Sequence, residues 1–371
     1  MAHIDGFLQL ARAQGASDVH FTVGRPPLVR LDGELVELQY RALAAAEIEG
    51  FLLELLDDAG RGQLEQRGAV DLSYATPELG RFRLNVFRQR LGMAAICRVI
   101  PEQLPRLADL GLPRVVGELS VLDSGLVLIS GGPGTGKTTT LAALVDEINR
   151  QRNCNIITIE DPIEFAHESQ KSLVLQREVG THVPSFSDGI RSSLRQDPDV
   201  LLIGELRDPE AIVAAIEAAE TGHLVFGTLN TRGAYQAIHR IVDTFPTDGQ
   251  AQIRHTLAET LRAVVSQDLV RMADGRGRRV VAEIMIMTSA IAQLVRENKM
   301  HQVASAIGTG RRLGMQLMDQ ALLSLVQSGE IDPDDAFLKA LDKKEFAPFV
   351  TRPELLAALD RGPRPGAAEA A

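Results

Sequence analysis

Gly131 to Thr138 read GGPGTGKT and directly follow the apolar run LVLIS at 126–130. This segment fits the pattern G-x-x-x-x-G-K-[ST], in which glycines allow successive backbone N–H groups to turn inward around a phosphate. Lys137 can reach the β- and γ-phosphates, and the hydroxyl of Thr138 can bind Mg²⁺. Behind the loop, apolar residues recur at helical spacing, at Leu141, Leu144, Val145 and Ile148.

Strand, loop and helix therefore occur in the order that a phosphate-binding loop requires, and the helix N-terminus would direct its partial positive charge at the phosphates. A chance glycine-rich turn does not explain this combination. The sequence predicts a nucleoside triphosphate site. Its predicted nucleotide-binding residues are Gly131, Gly132, Pro133, Gly134, Thr135, Gly136, Lys137, Thr138 and Thr139.

The composition is that of an ordinary globular chain: 371 residues, 45% hydrophobic and 24% charged, long enough for two or three domains. A net charge of −10 does not favour nucleic acid as the main partner. No apolar stretch approaches the ~20 residues of a membrane helix, and the N-terminus lacks a signal pattern, so we expect a cytosolic protein. Cys97 and Cys154 are far apart in apolar surroundings and are expected to be buried thiols.

Residues 1–101 alternate between helical spacing and short alternating strands, which predicts an α+β domain. Its unusual feature is a set of arginines on neighbouring predicted strands: Arg81, Arg83, Arg88, Arg90 and Arg98. One interpretation is a solvated sheet edge, and the other is charge presented to a phosphate. Residues 102–120, which include Pro105, are predicted to form a linker.

Residues 121–290 repeat one arrangement, an apolar strand that ends in a polar residue and is followed by a helix. The strands at 155–159 and 200–204 end at Glu160 and Glu205. Short apolar strands alternating with helices predict a parallel sheet covered on both faces, with ligands at the carboxyl ends of the strands. Glu160, Glu205 and the phosphate loop should therefore meet at one edge.

Phosphoryl transfer from ATP to water requires a cation on the phosphates, a group that positions the water, and positive charge for the transition state. We assign Glu205 to the attacking water and, through water, to Mg²⁺, and Glu160 to the Mg²⁺ shell with Thr138. Each glutamate could instead be an ordinary strand-end carboxylate. His223 is a candidate for contact with the γ-phosphate or with a neighbouring subunit, although a lone histidine is more often structural.

Several long segments resemble the type IV pilus retraction ATPases (PilT-like) of the secretion-ATPase superfamily. They are GASDVH at 15–20, GRFRLNVF at 80–87, ITIEDPIEF at 157–165, SLRQDPDVLLIGELRDPE at 193–210, AAETGHLVFGTL at 218–229 and GMQLMDQALLSLV at 314–326. The resemblance covers nearly the whole chain except its tail. It places the Asp box at 159–165, the Walker B motif at 201–205 and the start of the His box at His223.

The resemblance implies an α/β protein with a PAS-like N-terminal domain (1–101), a RecA-like ATPase core (121–290) and a helical C-terminal region (291–360). It implies a homohexameric ring that uses ATP and Mg²⁺, with Arg83 and Arg98 as arginine-finger-like catalytic residues and Arg81 less certain. The motor would act in the cytoplasm on an inner-membrane platform protein of the pilus, alone or beside a paralogous retraction ATPase. Residues 361–371, rich in Pro, Gly and Ala, are expected to be disordered.

Two departures from the family pattern bear on function. Asn230 stands where the family usually has a histidine in GTLHT; it can form hydrogen bonds but cannot gain a proton charge. Ala292 stands where an arginine is usual in the AIRxLI-type segment near the C-terminus. These departures leave open an accessory or weakly hydrolysing subunit that works with an active paralogue.

Two other functional classes are less well supported. Pilus-extension and type II secretion ATPases usually carry paired C-x-x-C motifs for zinc, and two separated cysteines cannot supply four thiolates. A RecA-like nucleic-acid motor is disfavoured by the acidic composition. The sequence therefore favours a retraction ATPase.

Overall fold

The computed structural model describes residues 3–31, 34–76, 78–100 and 104–360, with side chains as far as 356. The chain divides into two compact units. Unit 1 comprises Met1–Gln103 and Glu164–Ala166, and unit 2 comprises Leu104–Ile163 and His167–Ala371. Within the described residues, none of the helices combines the length and apolar character needed to cross a bilayer.

Unit 1 is an α+β fold, as predicted. Its helices are α1 (Asp5–Ala13), α2 (Ala45–Leu53) and α3 (Asp58–Arg67), and its strands are β1 (Asp18–Phe21), β2 (Leu28–Leu31), β3 (Glu34–Glu37), β4 (Ala69–Thr76), β5 (Gly80–Gln89) and β6 (Gly92–Val99). The strands form one sheet in the order β3-β2-β1-β6-β5-β4, and neighbouring strands are antiparallel.

Alternating side chains of the sheet form the core of unit 1. Phe82, Leu84 and Val86 of β5 are fully buried and share one hydrophobic cluster with residues of all three helices. Two helices, α2 and α3, follow one another between β3 and β4. Asp57 begins the second of them, because its side chain accepts a hydrogen bond from the backbone N–H of Gly60 at 2.7 Å.

Unit 2 contains the remaining elements. Its strands are β7 (Gly125–Ser130), β8 (Asn155–Glu160), β9 (Leu173–Glu178), β10 (Val200–Ile203), β11 (Leu224–Leu229), β12 (Leu261–Arg271) and β13 (Arg278–Ile286). Its α-helices are α4 (Arg114–Glu118), α5 (Lys137–Gln151), α6 (Phe186–Ser193), α7 (Pro209–Glu220), α8 (Ala234–Asp243), α9 (Gln250–Thr260), α10 (Ser289–Arg296), α11 (Val303–Thr309), α12 (Met318–Gln327), α13 (Pro333–Lys339), α14 (Lys343–Phe346) and α15 (Pro353–Asp360). Short 3₁₀ helices cover Leu107–Leu110, Leu119–Val121, Met300–Gln302, Arg311–Leu313 and Ala347–Phe349.

The sheet of unit 2 has the order β13-β12-β7-β11-β10-β8-β9. All neighbouring pairs are parallel except β12 and β13. Leu126 and Leu128 of β7 belong to one hydrophobic cluster, and Val127 and Ile129 belong to another. Since successive side chains of a strand point to opposite faces, the sheet is covered on both sides, as the unbroken apolar strands predict.

The segment predicted to be a linker differs from that expectation. From residue 104 onward it belongs to unit 2 and contains α4 between two 3₁₀ helices. Val116 and Leu119 are buried there in the same cluster as Val127 and Leu144. The apolar side chains of this short segment therefore pack on the nucleotide domain. Residues 102–103 and the predicted disordered tail, 361–371, lie outside the described residues.

The predicted helical C-terminal region contains α10 to α15. Part of it packs with Val270 of β12 and Val281 of β13 in a separate hydrophobic cluster, which includes Leu322, Phe337 and Phe346. Asp332 begins α13, because its carboxylate accepts a hydrogen bond from the backbone N–H of Asp334 at 2.8 Å.

His167, between β8 and β9, is a titratable group in a largely buried position. Its backbone N–H donates to Oε1 of Gln176 at 2.8 Å. Burial lowers the pKa of the imidazole to about 4, and the negative charge of Asp146 opposes this shift without cancelling it. The histidine is therefore neutral in the folded protein at pH 5, whereas an unfolded chain would be protonated there.

We expect His167 to reduce stability as the pH falls. Between an unfolded pKa of about 6.5 and the folded value, the unfolded chain binds a proton that the folded chain does not. At roughly 1.4 kcal/mol per pH unit, this amounts to at most about 2 kcal/mol at pH 5. His167→Gln should show a smaller drop in thermal midpoint between pH 7 and pH 5 than the wild type. His239→Gln, at an exposed position on α8, is the control; equal pH dependence in all three proteins would contradict the expectation.

Candidate functional site

The phosphate loop connects β7 to α5 and has the backbone geometry that its glycines permit. Gly131 has φ of 148°, and a Cβ atom there would lie 2.4 Å from the carbonyl oxygen of Gln267. Only glycine can therefore occupy this position without moving β12. Gly136 has φ of 86° and stands directly before α5, which begins at Lys137.

Gln267 of β12 forms hydrogen bonds to the phosphate loop and to α5. It was not identified from the sequence. The side chain is 2% exposed. Its Nε2 donates to the carbonyl oxygen of Thr135 at 2.8 Å, and its Oε1 accepts from the hydroxyl of Thr140 at 3.0 Å. The only signal in the sequence is that Ser266 and Gln267 interrupt the apolar run of Ala263, Val264 and Val265.

Lys137 is held by oxygen atoms on two elements. Its Nζ donates to the carbonyl oxygens of Gly131 and Gly132 and to Oδ1 of Asn230, each at 2.9 Å. Asn230 directly follows β11, the strand that pairs with β7. Thr138, the predicted Mg²⁺ ligand, follows Lys137 in the first turn of α5.

The two predicted carboxylates follow neighbouring parallel strands. β8 and β10 are paired with Ile159 opposite Ile203. The N–H of Gly204 donates to the carbonyl oxygen of Ile159 at 2.8 Å, and a Cβ at Gly204 would lie 3.3 Å from Cα of Glu160. The ends of β8 and β10 are thus adjacent, at the edge where β7 enters the loop, which is the arrangement predicted from the strand pattern.

Glu160 is largely buried, whereas Glu205 is more accessible. Oε1 of Glu160 accepts hydrogen bonds from Oγ1 of Thr158 at 2.6 Å and from Nε2 of Gln176 at 3.0 Å. Glu160 is 8% exposed, and the side chain of Glu205 is 20% exposed. Glu205 is therefore the carboxylate that water can reach more easily.

Both oxygens of Glu205 accept hydrogen bonds. Oε2 accepts from Nε of Arg207 at 2.6 Å, and Oε1 accepts from the side-chain amide of Asn230. Nη1 of Arg207 also lies 3.8 Å from Oδ2 of Asp161. Lys137, Asn230, Glu205 and Arg207 therefore form one polar chain from the phosphate loop to the end of β10. The sequence had indicated Asn230 only as a departure from a pattern, and Arg207 not at all.

His223 lies at the opposite edge of the sheet. It immediately precedes β11, and its carbonyl oxygen accepts from the N–H of Gly125 at the start of β7. The six residues of β11 span about 20 Å. His223 therefore does not contact a phosphate held by the loop of its own chain, which removes one of its two predicted roles. Its Nδ1 lies 2.9 Å from the carbonyl oxygen of Ala218.

Arg83 and Arg98, predicted to contact phosphate, belong to unit 1. They stand directly opposite each other on β5 and β6. Arg98 in turn stands opposite Asp18 on β1, and Asp18 stands opposite Arg30 on β2. Residues paired in this way share one face of a sheet, so a row of three arginines and one aspartate crosses four strands.

Asp18 holds this row together. Its carboxylate accepts from Nε of Arg98 at 2.9 Å and from the hydroxyl of Ser17 at 2.8 Å. Burial raises the pKa of Asp18, but the hydrogen bonds from Ser17 and Arg98 outweigh burial and bring the pKa below its usual value. Arg83 has a looser partner, Asp71, at 3.8 Å, and 37% of its side chain is exposed.

The predicted Mg²⁺ ligands offer only oxygen atoms: the hydroxyl of Thr138 and the carboxylates of Glu160 and Glu205. Hard oxygen ligands of this kind fit Mg²⁺, which keeps several waters and needs few protein ligands. Among the residues that the structure describes, no group of three or more His, Cys, Asp or Glu side chains could hold a metal ion by itself. The donor set fits an ion held jointly with substrate phosphates.

Ala292, the second departure, lies on the buried face of α10. It is 6% exposed and packs in the main hydrophobic cluster of unit 2 with Ile291 and Val295. At this position the chain therefore contributes to packing and presents no charge at the surface.

Comparison with known proteins identifies similar chains over most of the length. The family model for "Type II/IV secretion system protein" matches residues 2–332. The chain is 44% identical to the type IV pilus retraction ATPase PilT of Pseudomonas aeruginosa over 92% of its own length and 99% of that protein. It is 36% identical to the type IV pilus ATPase PilU of the same species over 90% of its own length and 87% of that protein.

A solved structure has a similar fold. The crystal structure of the pilus retraction motor PilT with bound ADP superimposes with a TM-score of 0.86 at 43% identity, covering 92% of this chain and 98% of that chain. The similarity therefore extends over both units and is not limited to the nucleotide-binding motifs.

Removing the side-chain amide of Gln267 should destabilise the conformation of the phosphate loop and so weaken nucleotide binding. In Gln267→Met the carbonyl of Thr135 and the hydroxyl of Thr140 lose their partners in a buried position, at a cost of about 1–3 kcal/mol in the free energy of unfolding. We expect a lower thermal midpoint and roughly tenfold weaker ADP binding, measured by titration calorimetry. Gln293→Met, at an exposed position on α10, is the matched control. Unchanged ADP affinity in Gln267→Met would contradict the supporting role.

Proposed function

The chain belongs to the type II/IV secretion system protein family, and on this premise we propose that it is an ATPase that powers type IV pilus retraction and hence twitching motility. The observation that carries the proposal is the polar chain from Lys137 through Asn230 to Glu205. It connects a phosphate-binding lysine to a strand-end carboxylate, which are the two groups that ATP hydrolysis needs close together. Similarity to PilT over both units supports the motor function.

In this proposal the loop 131–136 and Lys137 bind the phosphates of ATP. Thr138, Glu160 and Glu205 would hold Mg²⁺, partly through water, and the ion would neutralise charge on the phosphates. Glu205 positions and deprotonates the attacking water, since it is the more exposed of the two carboxylates. Glu160, fixed by Thr158 and Gln176, acts on the Mg²⁺ shell.

Arg83 and Arg98 are proposed to supply positive charge to the transition state as arginine-finger-like residues. The row to which they belong has three guanidinium groups and one carboxylate, which is an excess of positive charge within that row. His223 retains only its second predicted role, contact with a neighbouring subunit, because it lies at the edge of the sheet away from the loop.

We further propose a homohexameric ring in which unit 1 is PAS-like and the core of unit 2 is RecA-like. The ring would act in the cytoplasm at the inner membrane and pass its motion to the platform protein of the pilus. ATP and Mg²⁺ are its proposed cofactors, and nucleic acid is not among its partners. The support is the similarity to PilT along both units.

A second candidate function is an accessory or weakly hydrolysing retraction subunit that works with an active paralogue. Two observations favour it: Asn230 and Ala292 depart from the family pattern at the nucleotide site and in α10. Similarity to PilU at 36% identity also shows that the chain resembles more than one pilus ATPase. A pilus-extension or type II secretion ATPase is less well supported, because two cysteines cannot form a four-thiolate zinc site.

The decisive experiment compares wild type and Glu205→Gln in Mg²⁺-dependent ATP hydrolysis, at a concentration where the oligomer is confirmed. We expect wild-type turnover, retained ATP binding in the variant, and a turnover reduced by about 100-fold or more, because an amide cannot accept the proton from water. Glu217→Gln, at an exposed site on α7, is the control. Tight binding with negligible wild-type turnover would favour the accessory function, and full turnover by Glu205→Gln would remove that residue from its role.

Arg83→Gln should separate catalysis from binding. In the part of the chain that the structure describes, Arg83 has one long ion pair, with Asp71 at 3.8 Å. Its loss should therefore change the thermal midpoint little and should reduce turnover at saturating ATP about tenfold or more. Arg98→Gln should reduce turnover and also stability, because it removes a partner of the buried Asp18. Arg88→Gln, an exposed arginine on β5, is the control. Wild-type turnover in Arg83→Gln would contradict the proposed role.

A further inference from the structure

Asn230 contacts two groups of opposite charge at once. Its Oδ1 accepts from Nζ of Lys137 at 2.9 Å, and its Nδ2 donates to Oε1 of Glu205. Lys137 and Glu205 lie on different elements, one at the start of α5 and the other after β10. The amide thus bridges the phosphate-binding cation and the carboxylate that faces water.

The two contacts determine how the amide is oriented. A carboxylate can only accept hydrogen bonds, and an ammonium group can only donate them. If the amide were rotated by 180°, its NH₂ group would face Lys137 and its oxygen would face Glu205, and both contacts would become repulsive. The orientation of Asn230 is therefore fixed by both neighbours together, and losing one contact loosens the other.

Phosphate binding competes directly with the contact to Lys137. The ammonium group has three N–H donors, and three oxygen acceptors already lie at 2.9 Å, those of Gly131, Gly132 and Asn230. To bind a phosphate, Lys137 must give up contacts of this kind. Two of the acceptors belong to the loop itself, so the contact to Asn230 is the one that connects the lysine to another strand.

We propose that Asn230 is a positioning residue that holds Lys137 and Glu205 in a resting arrangement, so that phosphate binding at Lys137 releases Glu205 toward water. This inference rests on the proposed ATPase function. After release, Arg207 still holds the other oxygen of Glu205 at 2.6 Å, so the carboxylate gains one accepting atom without losing its position. An asparagine carries out this role without titrating, so the coupling is independent of pH in the physiological range.

The test measures nucleotide binding, which does not require turnover. Asn230→Leu is nearly isosteric and removes both hydrogen bonds, and Asn230→Ala is a second variant should packing of leucine fail. Because the resting contact no longer opposes phosphate binding, both variants should bind ADP and a non-hydrolysable ATP analogue more tightly than wild type, by roughly fivefold to tenfold. Asn153→Ala, an exposed asparagine between α5 and β8, should bind both nucleotides like wild type.

A second measurement tests the connection to Glu205. The tightening caused by Asn230→Leu should be at least about twofold smaller in a Glu205→Gln background, because a neutral side chain no longer fixes the amide. Glu205→Gln alone and Glu205→Gln combined with Asn230→Leu both lack the charge at position 205, so the effect of that charge on nucleotide affinity cancels in the comparison. Equal tightening in the two backgrounds would overturn the link between Lys137 and Glu205.

The remaining outcomes are also decisive. Weaker binding of the ATP analogue by Asn230→Leu, with ADP binding unchanged, would show that Asn230 contacts the γ-phosphate and would overturn the resting role. Unchanged affinity for both nucleotides would overturn it as well. If the wild type bound neither nucleotide, the proposed function itself would fail. Wild-type binding without tightening in the variants would therefore contradict this inference alone.

Discussion

The parallel pairing of β7, β11, β10 and β8 determines which side chains can meet. The four strands are apolar and buried on both faces, each face being covered by one of two hydrophobic clusters. Because their carboxyl ends lie at one edge, Lys137 contacts Asn230, 93 positions away in the sequence. The polar chain from the phosphate loop to Arg207 depends on this pairing. The chemistry of the site is therefore a consequence of how the sheet is covered, as much as of the motif at 131–138.

Local patterns in the sequence predict one part of the site and not the other. The phosphate loop is encoded in eight consecutive residues, and Glu160 and Glu205 follow apolar strands whose direction the alternating helices indicate. Gln267, in contrast, acts on residues more than 100 positions away, and no local pattern indicates that partnership. The motif made His223 a candidate for contact with the γ-phosphate. Its place before β11, however, already implies that it lies at the amino end of a parallel strand, away from the loop. The segment 102–120 was predicted as a linker, and the packing of its part from residue 104 onward was not predicted, because its few apolar residues find partners only in the folded unit.

In unit 1, too, the sequence does not determine which distant residues become neighbours. The sequence shows arginines on neighbouring strands but does not fix which of them are opposite one another. The pairing of β5 with β6 and of β6 with β1 places Arg83, Arg98 and Asp18 in one row. Asp18 partly neutralises Arg98 at 2.9 Å, whereas the ion pair of Arg83 with Asp71 is longer, at 3.8 Å. The two arginines therefore differ, although the sequence treats them as equivalent: Arg83 has the weaker ion pair, and Arg98 has the more exposed side chain.

The two departures from the family pattern have different physical consequences. Asn230 lies in the polar chain, where it accepts a hydrogen bond from Lys137 and donates one to Glu205. An asparagine at this position therefore keeps the connection between Lys137 and Glu205. Ala292 lies in the core, where a long cation would either be buried without a partner or displace α10. The difference at Asn230 thus concerns the polar chain of the proposed nucleotide site, and the difference at Ala292 concerns the packing of α10.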